Sequence, residues 1–324
     1  MLFKIIGPFL AVLLQIFSRL CAALSSQRAL FRVGSWLGKV NFLLQRKRRT
    51  IALNNLELIL GDELNAEQRD AIARASFDAM STIYFELFWQ PEHHGIDFDD
   101  WARCEGIEHL ENAHAQGKGV IVAMPHLGNW GILGRAIVKR GYKFDGLMRP
   151  SAIPAVRNHF AKELDNIGMT PTNTPLPPGG FKSLIKNLNT GGVLILVADR
   201  RSNDYLVDFM GKPAWTAHGV ATTHLRSGAP IVTAYAVREA DHHRLVFQPA
   251  IEHAPTQDSE ADTVAILTEV NSRFSKAIRQ HPEQWLWLHE RWRGRRKGQQ
   301  STESKQPDQQ PAESADKSLD AVNK

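Results

Sequence analysis

The sequence predicts a single α/β sandwich with a mostly parallel central sheet, preceded by a helical N-terminal region. Two apolar runs support this prediction, KGVIVAMPH at 118–126 and GGVLILVAD at 191–199. Short, uninterrupted apolar segments of this kind are typical of strands that are buried on both faces. Segments with helical spacing separate the runs, and strands that alternate with helices indicate a parallel sheet. At 324 residues the chain suffices for one large domain of this class.

Composition excludes several classes of protein. Hydrophobic residues make up 43% and charged residues 23%, both near the globular average, which rules out a collagen-like, fully disordered or polytopic membrane protein. The net charge of +5 is too small to indicate nucleic acid as a partner. The two cysteines, Cys21 and Cys104, lack metal-type spacing, which excludes a cysteine-rich zinc site. We expect neither a metal nor a cofactor.

The N-terminus carries an apolar run over 5–17 that only Gln15 interrupts. A helix of that length rises about 20 Å, short of the roughly 30 Å hydrocarbon core of a bilayer. A signal peptide, an uncleaved anchor or interfacial helix, and a buried helix of a soluble domain are the competing interpretations. We expect an uncleaved membrane anchor or interfacial helix over 1–24, because no clean signal-peptidase site follows the run. The basic residues Lys39 and 46–49 suit an anionic cytoplasmic leaflet.

The C-terminus is rich in Gln, Ser, Asp and Lys and has no aromatic residue after position 297. Such a segment buries too little apolar surface to offset its ordering entropy, so it predicts a disordered tail over 297–324. The intervening residues, 25–296, are expected to form one domain.

The elements of that domain follow from local patterns. Residues 42–90 have apolar residues at helical spacing, with Asn65 as a helix N-cap. The other predicted helices are 129–140, 156–167, FKSLIKNL before the second apolar run, 217–227 and 262–280. The other predicted strands are KFDGLMR, APIVTAYAVR and its partner RLVFQPAIE.

Reactive side chains follow both of the apolar strands. His126 comes directly after one strand and Asp199 ends the other. In open α/β sheets ligands bind beyond the carboxyl ends of the strands. A neutral imidazole at His126 would act as a general base, and the N-terminus of the next helix would offer N–H donors to an oxyanion. By spacing alone, a capping or packing role for His126 remains open.

Four segments taken together resemble the bacterial lipid A biosynthesis acyltransferases, which are late lauroyl or myristoyl transferases, and the related mannoside acyltransferases of actinobacteria. They are MPHLGNWG (124–131), LMRP (147–150), the run from GGVLILVAD to GAPIV (191–232) and QWLWLHERWR (284–293). The resemblance covers 46–296 and the N-terminal anchor. It implies an enzyme of lipopolysaccharide biosynthesis at the cytoplasmic face of the bacterial inner membrane. Such an enzyme transfers an acyl chain from acyl-carrier protein, or acyl-CoA, to a hydroxyl of a glycolipid.

This sequence departs from the family pattern at the position of the catalytic acid. In that family a histidine followed five residues later by Asp or Glu forms the catalytic pair. His126 matches the histidine, but Gly131 occupies the position of the acid. We therefore expect Asp199, which matches a family aspartate after the second strand, to supply the carboxylate. An ion pair of Asp199 with Arg200 or Arg201 that orders the loop is the alternative.

The resemblance also implies substrate contacts. Arg149 matches a family arginine suited to a phosphate of the acceptor, with a salt bridge to Asp145 as the alternative. Asn129 is expected to orient His126 or to donate to the oxyanion, and Arg200 to bind substrate.

Two further segments carry expectations. Five residues match a family run that is expected to shape the floor of the pocket: Asp208, Phe209, Gly211, Ala214 and Thr216. The tryptophans and arginines over 285–296 favour a membrane-interface belt over a nucleic-acid surface.

Three functions compete on this evidence. The first is acyl transfer to a lipid A-type acceptor, and the second is acyl transfer to a lysophospholipid, a mannoside or an aminolipid. The third is a non-catalytic glycolipid-binding protein, which the glycine at position 131 favours.

Overall fold

The computed structural model describes Ile16 and residues 26–169 and 172–294. The predicted anchor over 1–24, Ile16 excepted, and the predicted tail over 297–324 lie outside these residues. Within the described ranges, no helix is long and apolar enough to cross a lipid bilayer.

Three helices precede the sheet, as the helical spacing predicts: α1 (Gln27–Leu44), α2 (Arg46–Leu60) and α3 (Ala66–Phe88). Helix α3 begins at the predicted N-cap. Asn65 Oδ1 accepts a hydrogen bond of 2.9 Å from the N–H of Gln68, whose side chain accepts one of 2.9 Å from the N–H of Asn65. This capping box satisfies two N–H groups near the start of the helix.

The other elements alternate along the chain. The further α-helices are α4 (Phe98–Trp101), α5 (Ile107–His114), α6 (Trp130–Lys139), α7 (Pro154–Asn166), α8 (Gly180–Asn189), α9 (Gly219–Ser227) and α10 (Ser259–Gln280). The strands are β1 (Ala102–Glu105), β2 (Val120–Met124), β3 (Phe144–Met148), β4 (Thr172–Asn173), β5 (Val193–Val197), β6 (Arg201–Phe209), β7 (Lys212–Thr216), β8 (Ile231–Arg238) and β9 (His243–Phe247). Short 3₁₀ turns lie at Pro91–His94 and Pro282–Gln284.

Seven of these strands form one sheet in the order β1-β9-β8-β2-β5-β3-β4. All neighbouring strands are parallel except β8 and β9, which are the predicted partners and pair in antiparallel orientation. The prediction of an α/β fold with a mostly parallel sheet is confirmed.

Helices cover both faces of the central strands, and alternate residues of each strand point to opposite faces. Val122 and Ile195 belong to the core beneath α5 and α6, whereas Ala123 and Leu196 belong to the core beneath α8, α9 and α10. This double burial explains why β2 and β5 have uninterrupted apolar sequences.

The hairpin β6–β7 was not predicted. It is antiparallel, and Met210 and Gly211 form its turn with φ angles of 58° and 85°. A two-residue turn with both φ angles positive matches the right-handed twist of the paired strands. Its strands alternate between buried and exposed residues only over short stretches, and they contain many polar side chains. The two-residue period of a strand is therefore weak in the sequence.

Candidate active site

Neighbouring strand ends bring His126 and Asp199 together. Strands β2 and β5 pair in parallel, with Met124 opposite Val197, so the residues two positions further on lie side by side. His126 Nδ1 is 2.5 Å from Asp199 Oδ1, and the backbone N–H of His126 donates to Asp199 Oδ2 at 2.7 Å. The structure thus places the candidate carboxylate against the candidate base.

The carboxylate of Asp199 lies in the interior, with 1% of the residue exposed. Trp285 Nε1 donates a third hydrogen bond to it, at 2.7 Å to Oδ2. Burial alone would raise the pKa of this carboxyl, but the neighbouring His126 and the hydrogen bonds from His126 and Trp285 lower the pKa to about 2. Asp199 is therefore a carboxylate at neutral pH. As an acceptor beside Nδ1 it favours the tautomer that leaves a lone pair on Nε2.

An apolar cleft of about 540 Å³ opens beside His126. This volume lies in the range of about 300–1,000 Å³ that is usual for small-molecule sites. The apolar side chains that line it come from β3, β5, α3, α6, α7 and the segment after α7: Leu87, Trp130, Phe144, Leu147, Met148, Val156, Phe160, Leu164, Met169, Ile195 and Val197. Such a lining suits a long hydrocarbon chain.

Three arginines lie at the same cleft, and all three are exposed. They are Arg149 and Arg200, which the sequence indicates, and Arg157 on α7, which it does not. The alternative partner of Arg149 is engaged elsewhere: Asp145 accepts hydrogen bonds from Thr172 Oγ1 at 2.9 Å and from Asn187 Nδ2 at 3.1 Å. Guanidinium groups in this position suit an anionic substrate, because they bind phosphate oxygens in a bidentate way.

The backbone around Gly128 is clamped between neighbouring segments. Its φ is 59°, and a Cβ added there would lie 1.6 Å from the carbonyl oxygen of Ala236. The N–H of Gly128 donates to Gln284 O at 3.0 Å, and the N–H of Asn129 donates to Ala236 O at 3.1 Å. Only glycine fits this close approach in the left-handed region, and the clamp holds the backbone that carries His126.

Asn129 does not make the substrate contact that the resemblance implies. It is fully buried, and its Oδ1 accepts the N–H groups of Gly131 and Ile132 at 3.0 and 3.4 Å as the N-cap of α6. Its Nδ2 donates to Glu86 Oε2 at 2.7 Å. With both ends of its amide engaged in the interior, Asn129 supports the loop and does not reach the cleft.

Glu86 is the centre of a buried polar network that the sequence does not reveal. Arg238 donates to its two carboxylate oxygens at 2.6 Å each, and His243 Nε2 lies 3.2 Å from Oε1. Burial alone would raise the pKa of Glu86, but the charges of Arg238 and His243 lower it from 4.5 to about 2. Glu86 lies on a helix and Arg238 lies on a strand 152 residues later, so no local sequence pattern indicates that they pair.

Trp285, Trp287 and Arg291 of the C-terminal aromatic segment are interior, so the prediction of a membrane-interface belt is wrong for these three residues. Trp285 and Trp287 are 1% and 0% exposed. Arg291 is also fully buried, and it donates to Trp215 O at 2.6 Å and to Thr216 Oγ1 at 2.8 Å. These tryptophans pack edge-to-face on one another and fill the core beside Asp199.

The run over 208–216 supports this segment and does not form the floor of the cleft. Phe209 is fully buried, and the Arg291 guanidinium lies 4.4 Å from the centre of its ring. Ala214 and Thr216 are each 1% exposed, while Asp208 and Gly211 are exposed at the far end of the hairpin. The expectation for these five residues is corrected accordingly.

His289 is a further histidine near the site that sequence reasoning missed. Its Nε2 accepts the backbone N–H of Arg201 at 3.0 Å. Burial, together with the charge of Arg200, lowers the pKa of His289 to about 4. His289 is therefore neutral at physiological pH and holds the backbone two residues after Asp199.

A histidine–carboxylate pair beside an apolar cleft with three exposed arginines suits a group-transfer enzyme. The family described as bacterial lipid A biosynthesis acyltransferase matches residues 2–294, and the chain belongs to that family. The protein is accordingly an acyltransferase, which sets aside the non-catalytic alternative.

Its relatives carry two kinds of description. The lipid A biosynthesis palmitoleoyltransferase of Escherichia coli is 24% identical over 282 residues, which cover 83% of this chain and 86% of that protein. The phosphatidylinositol mannoside acyltransferase of Mycobacterium tuberculosis is 27% identical over 245 residues, which cover 74% and 75%. The crystal structure of the 1-acyl-sn-glycerophosphate acyltransferase of Thermotoga maritima aligns at 12% identity with a TM-score of 0.35, over 77% of this chain and 96% of that one. That score is too low to establish a shared fold.

Proposed function

We propose that the protein transfers a fatty acyl chain from a thioester of acyl-carrier protein, or of coenzyme A, to a hydroxyl of a lipid A-type glycolipid at the cytoplasmic face of the bacterial inner membrane. The observation that carries the proposal is the pairing of His126 with buried Asp199 at the mouth of an apolar cleft. A base beside a hydrocarbon-sized cavity places a reacting hydroxyl next to an acyl chain.

The reaction follows from the tautomer that Asp199 favours. Nε2 of His126 accepts the proton of the acceptor hydroxyl while its oxygen forms a bond to the thioester carbonyl carbon. Asp199 remains a carboxylate and stabilises the imidazolium across the 2.5 Å contact. The tetrahedral intermediate then collapses, the C–S bond breaks, and the leaving thiolate takes the proton from Nε2. The ester is formed without a net change of protons on the enzyme.

The surroundings of the pair support an anionic, amphiphilic substrate. The apolar lining receives the acyl chain, and its burial contributes about 0.8 kcal/mol for each methylene. Arg149, Arg157 and Arg200 receive the phosphate of the acceptor. The same cations suit the acidic surface of a carrier protein that approaches the cleft.

Contact with a membrane surface is part of the proposal. Helix α1 exposes a row of apolar side chains on one face, which are Val33, Trp36, Leu43 and Leu44, with Trp36 65% and Leu44 75% exposed. The exposed cations Arg46, Lys47 and Arg48 follow directly. Apolar side chains next to basic ones suit the interface of an anionic leaflet.

The second candidate acceptor is a mannoside lipid, because a mannoside acyltransferase is 27% identical to this chain, compared with 24% for the lipid A palmitoleoyltransferase. The two acceptors share hydroxyl groups and a phosphate. They differ in the sugar that must fit outside the cleft.

One assay tests both candidates. The purified protein is incubated with radiolabelled dodecanoyl-acyl-carrier protein and, in separate reactions, a lipid A precursor, a phosphatidylinositol mannoside and a lysophospholipid. We expect transfer to the lipid A precursor, its loss in His126→Ala, and its retention in His93→Ala, a change at an exposed histidine outside the cleft. Transfer that survives in His126→Ala refutes the mechanism, and preferential transfer to the mannoside or lysophospholipid refutes the assigned acceptor.

A further inference from the structure

A second cavity lies on the opposite face of the sheet from His126. Its volume is about 400 Å³, and Leu194 and Leu196 of β5 line it, whereas Ile195 and Val197 of the same strand line the cleft at His126. Because successive residues of a strand point to opposite faces, the two cavities lie on either side of β5. Leu147 of β3 lines both.

The interior of the second cavity is apolar, and its polar groups come from one side. Leu147, Leu176, Phe181, Leu184, Leu194 and Leu196 form the apolar part. The polar part comes from α9 and its N-cap, with His218, Thr222, Thr223 and Arg226. A hydrocarbon interior with a polar group on one side is complementary to a single-chain amphiphile.

The polar side carries one cation, Arg226. His218, in the same wall, has a carboxylate of its own, since its Nδ1 is 2.8 Å from Asp204 Oδ2. Arg226 is exposed, and its guanidinium lies 5.3 Å from the centre of the Phe181 ring. Among the described residues no carboxylate forms an ion pair with Arg226, which leaves this cation to a ligand.

We propose that the second cavity binds a fatty acid, with the hydrocarbon chain among β5, α8 and α9 and the carboxylate against Arg226. The guanidinium pairs with a carboxylate in a bidentate way, and the Thr222 hydroxyl lies in the same wall as a further donor. The site is separate from the reaction cleft, so this inference does not depend on the proposed acceptor or donor.

Displacement of a fluorescent fatty acid by dodecanoate, below its micellar concentration, tests the proposal. Since the cleft at His126 also accepts a hydrocarbon chain, we expect two sites in the wild type. Gly219→Leu adds a bulky side chain to the lining of the second cavity, where a Cβ meets no heavy atom within 4 Å. This variant should remove the site in the second cavity and leave the site in the cleft at His126. Val156→Trp, which fills the cleft, should remove the site in the cleft and leave the site in the second cavity.

The charge is tested separately. Arg226→Gln should weaken dodecanoate at the second site about tenfold, equivalent to about 1.4 kcal/mol, and leave uncharged dodecanol unaffected. Lys182→Gln, a change at an exposed cation of α8 outside the lining, is the matched control and should change neither.

Folding is checked by the thermal midpoint of each variant, and Thr222→Phe fills the same cavity from the next turn of α9 if Gly219→Leu is unstable. The proposal is overturned by two sites persisting in a folded cavity-filling variant. Equal weakening of dodecanoate by Arg226→Gln and Lys182→Gln also overturns it.

Discussion

The indole N–H of Trp285 donates a 2.7 Å hydrogen bond to Oδ2 of Asp199, the carboxylate that holds His126. Trp285 and Asp199 are each 1% exposed, so this bond lies away from solvent. The aromatic C-terminal segment therefore contributes directly to the candidate catalytic pair.

We expect Trp285→Phe to lower kcat by about ten- to hundredfold. The phenyl ring keeps most of the packing but removes a hydrogen bond to a charged group, which contributes about 1.5–3 kcal/mol. Trp287→Phe is the matched control, since Trp287 is equally buried and its N–H donates at 2.7 Å to Pro282 O, away from the pair. Steady-state acyl-transfer rates of the folded fraction distinguish the two, and equal losses would contradict the prediction.

Asp199→Asn should slow transfer by about 10⁴-fold, the size of effect that the same change has in Ser-His-Asp enzymes. An amide at this position can donate towards Nδ1 and so favours the wrong tautomer of His126. Asp145→Asn is the control, because Asp145 is also buried but bonds Thr172 and Asn187. The measurement is the single-turnover rate with a labelled thioester. A fully active Asp199→Asn variant would show that another group orients the histidine.

Gly131→Asp restores the family's acid but should not raise the rate, since Asp199 already occupies Nδ1 of His126. A Cβ at Gly131 would lie 2.9 Å from Leu87 Cδ1 and 3.2 Å from Asn129 Oδ1, so we expect a loss of stability of about 1–3 kcal/mol. Denaturant unfolding and transfer rates are measured beside Gly131→Ala, which adds the same Cβ without a charge. A gain in rate confined to the aspartate variant would show that Asp199 does not serve as the acid.

Glu86→Gln should destabilise the protein by about 3–5 kcal/mol at pH 7, because Arg238 is left without its charge partner. The folded-state pKa of Glu86 is lowered from 4.5 to about 2, so its stabilisation is complete above about pH 4.5 and is lost as the pH falls towards 2. The difference in unfolding free energy between wild type and variant should therefore narrow over this window.

The exposed pair of Glu63 with Arg279 provides the control for this experiment. Glu63→Gln should cost less than about 1 kcal/mol, because solvent screens the interaction. Urea unfolding between pH 3 and 7 measures the unfolding free energies of both variants and the wild type. If the difference between wild type and Glu86→Gln stays constant with pH, the lowered pKa of Glu86 is disproved.

Arg149→Gln should lower kcat/KM about tenfold for a phosphorylated acceptor and leave a dephosphorylated acceptor unaffected, because the guanidinium at the cleft pairs with phosphate. Arg140→Gln is the comparison, since Arg140 pairs with Asp99 outside the cleft. Equal losses with both acceptors would assign Arg149 to the donor or to the fold.

Several features of the fold were readable from local patterns. The uninterrupted apolar runs of β2 and β5 predict strands buried on both faces, and Asn65 predicts the start of α3. The approach of Asp199 to His126 follows from placing the ends of two parallel strands side by side. The strand and N-cap predictions succeed because periodicity and capping depend on residues close together in the chain.

Other features depend on contacts between residues far apart in sequence. The Glu86–Arg238 pair spans 152 residues and the Trp285–Asp199 bond spans 86. A charged or aromatic side chain has the same local pattern whether it is solvated, at a membrane or buried with a partner, which is why the C-terminal tryptophans were misassigned.

The amino-acid sequence alone thus determines the sheet, the family and the position of His126 at the end of a strand. Only the tertiary structure decides that Asp199 has its two oxygens satisfied by His126 and Trp285, and that Asn129 faces Glu86. The physical reason is that burial of a polar group requires partners, and those partners come from whichever segments the fold brings together.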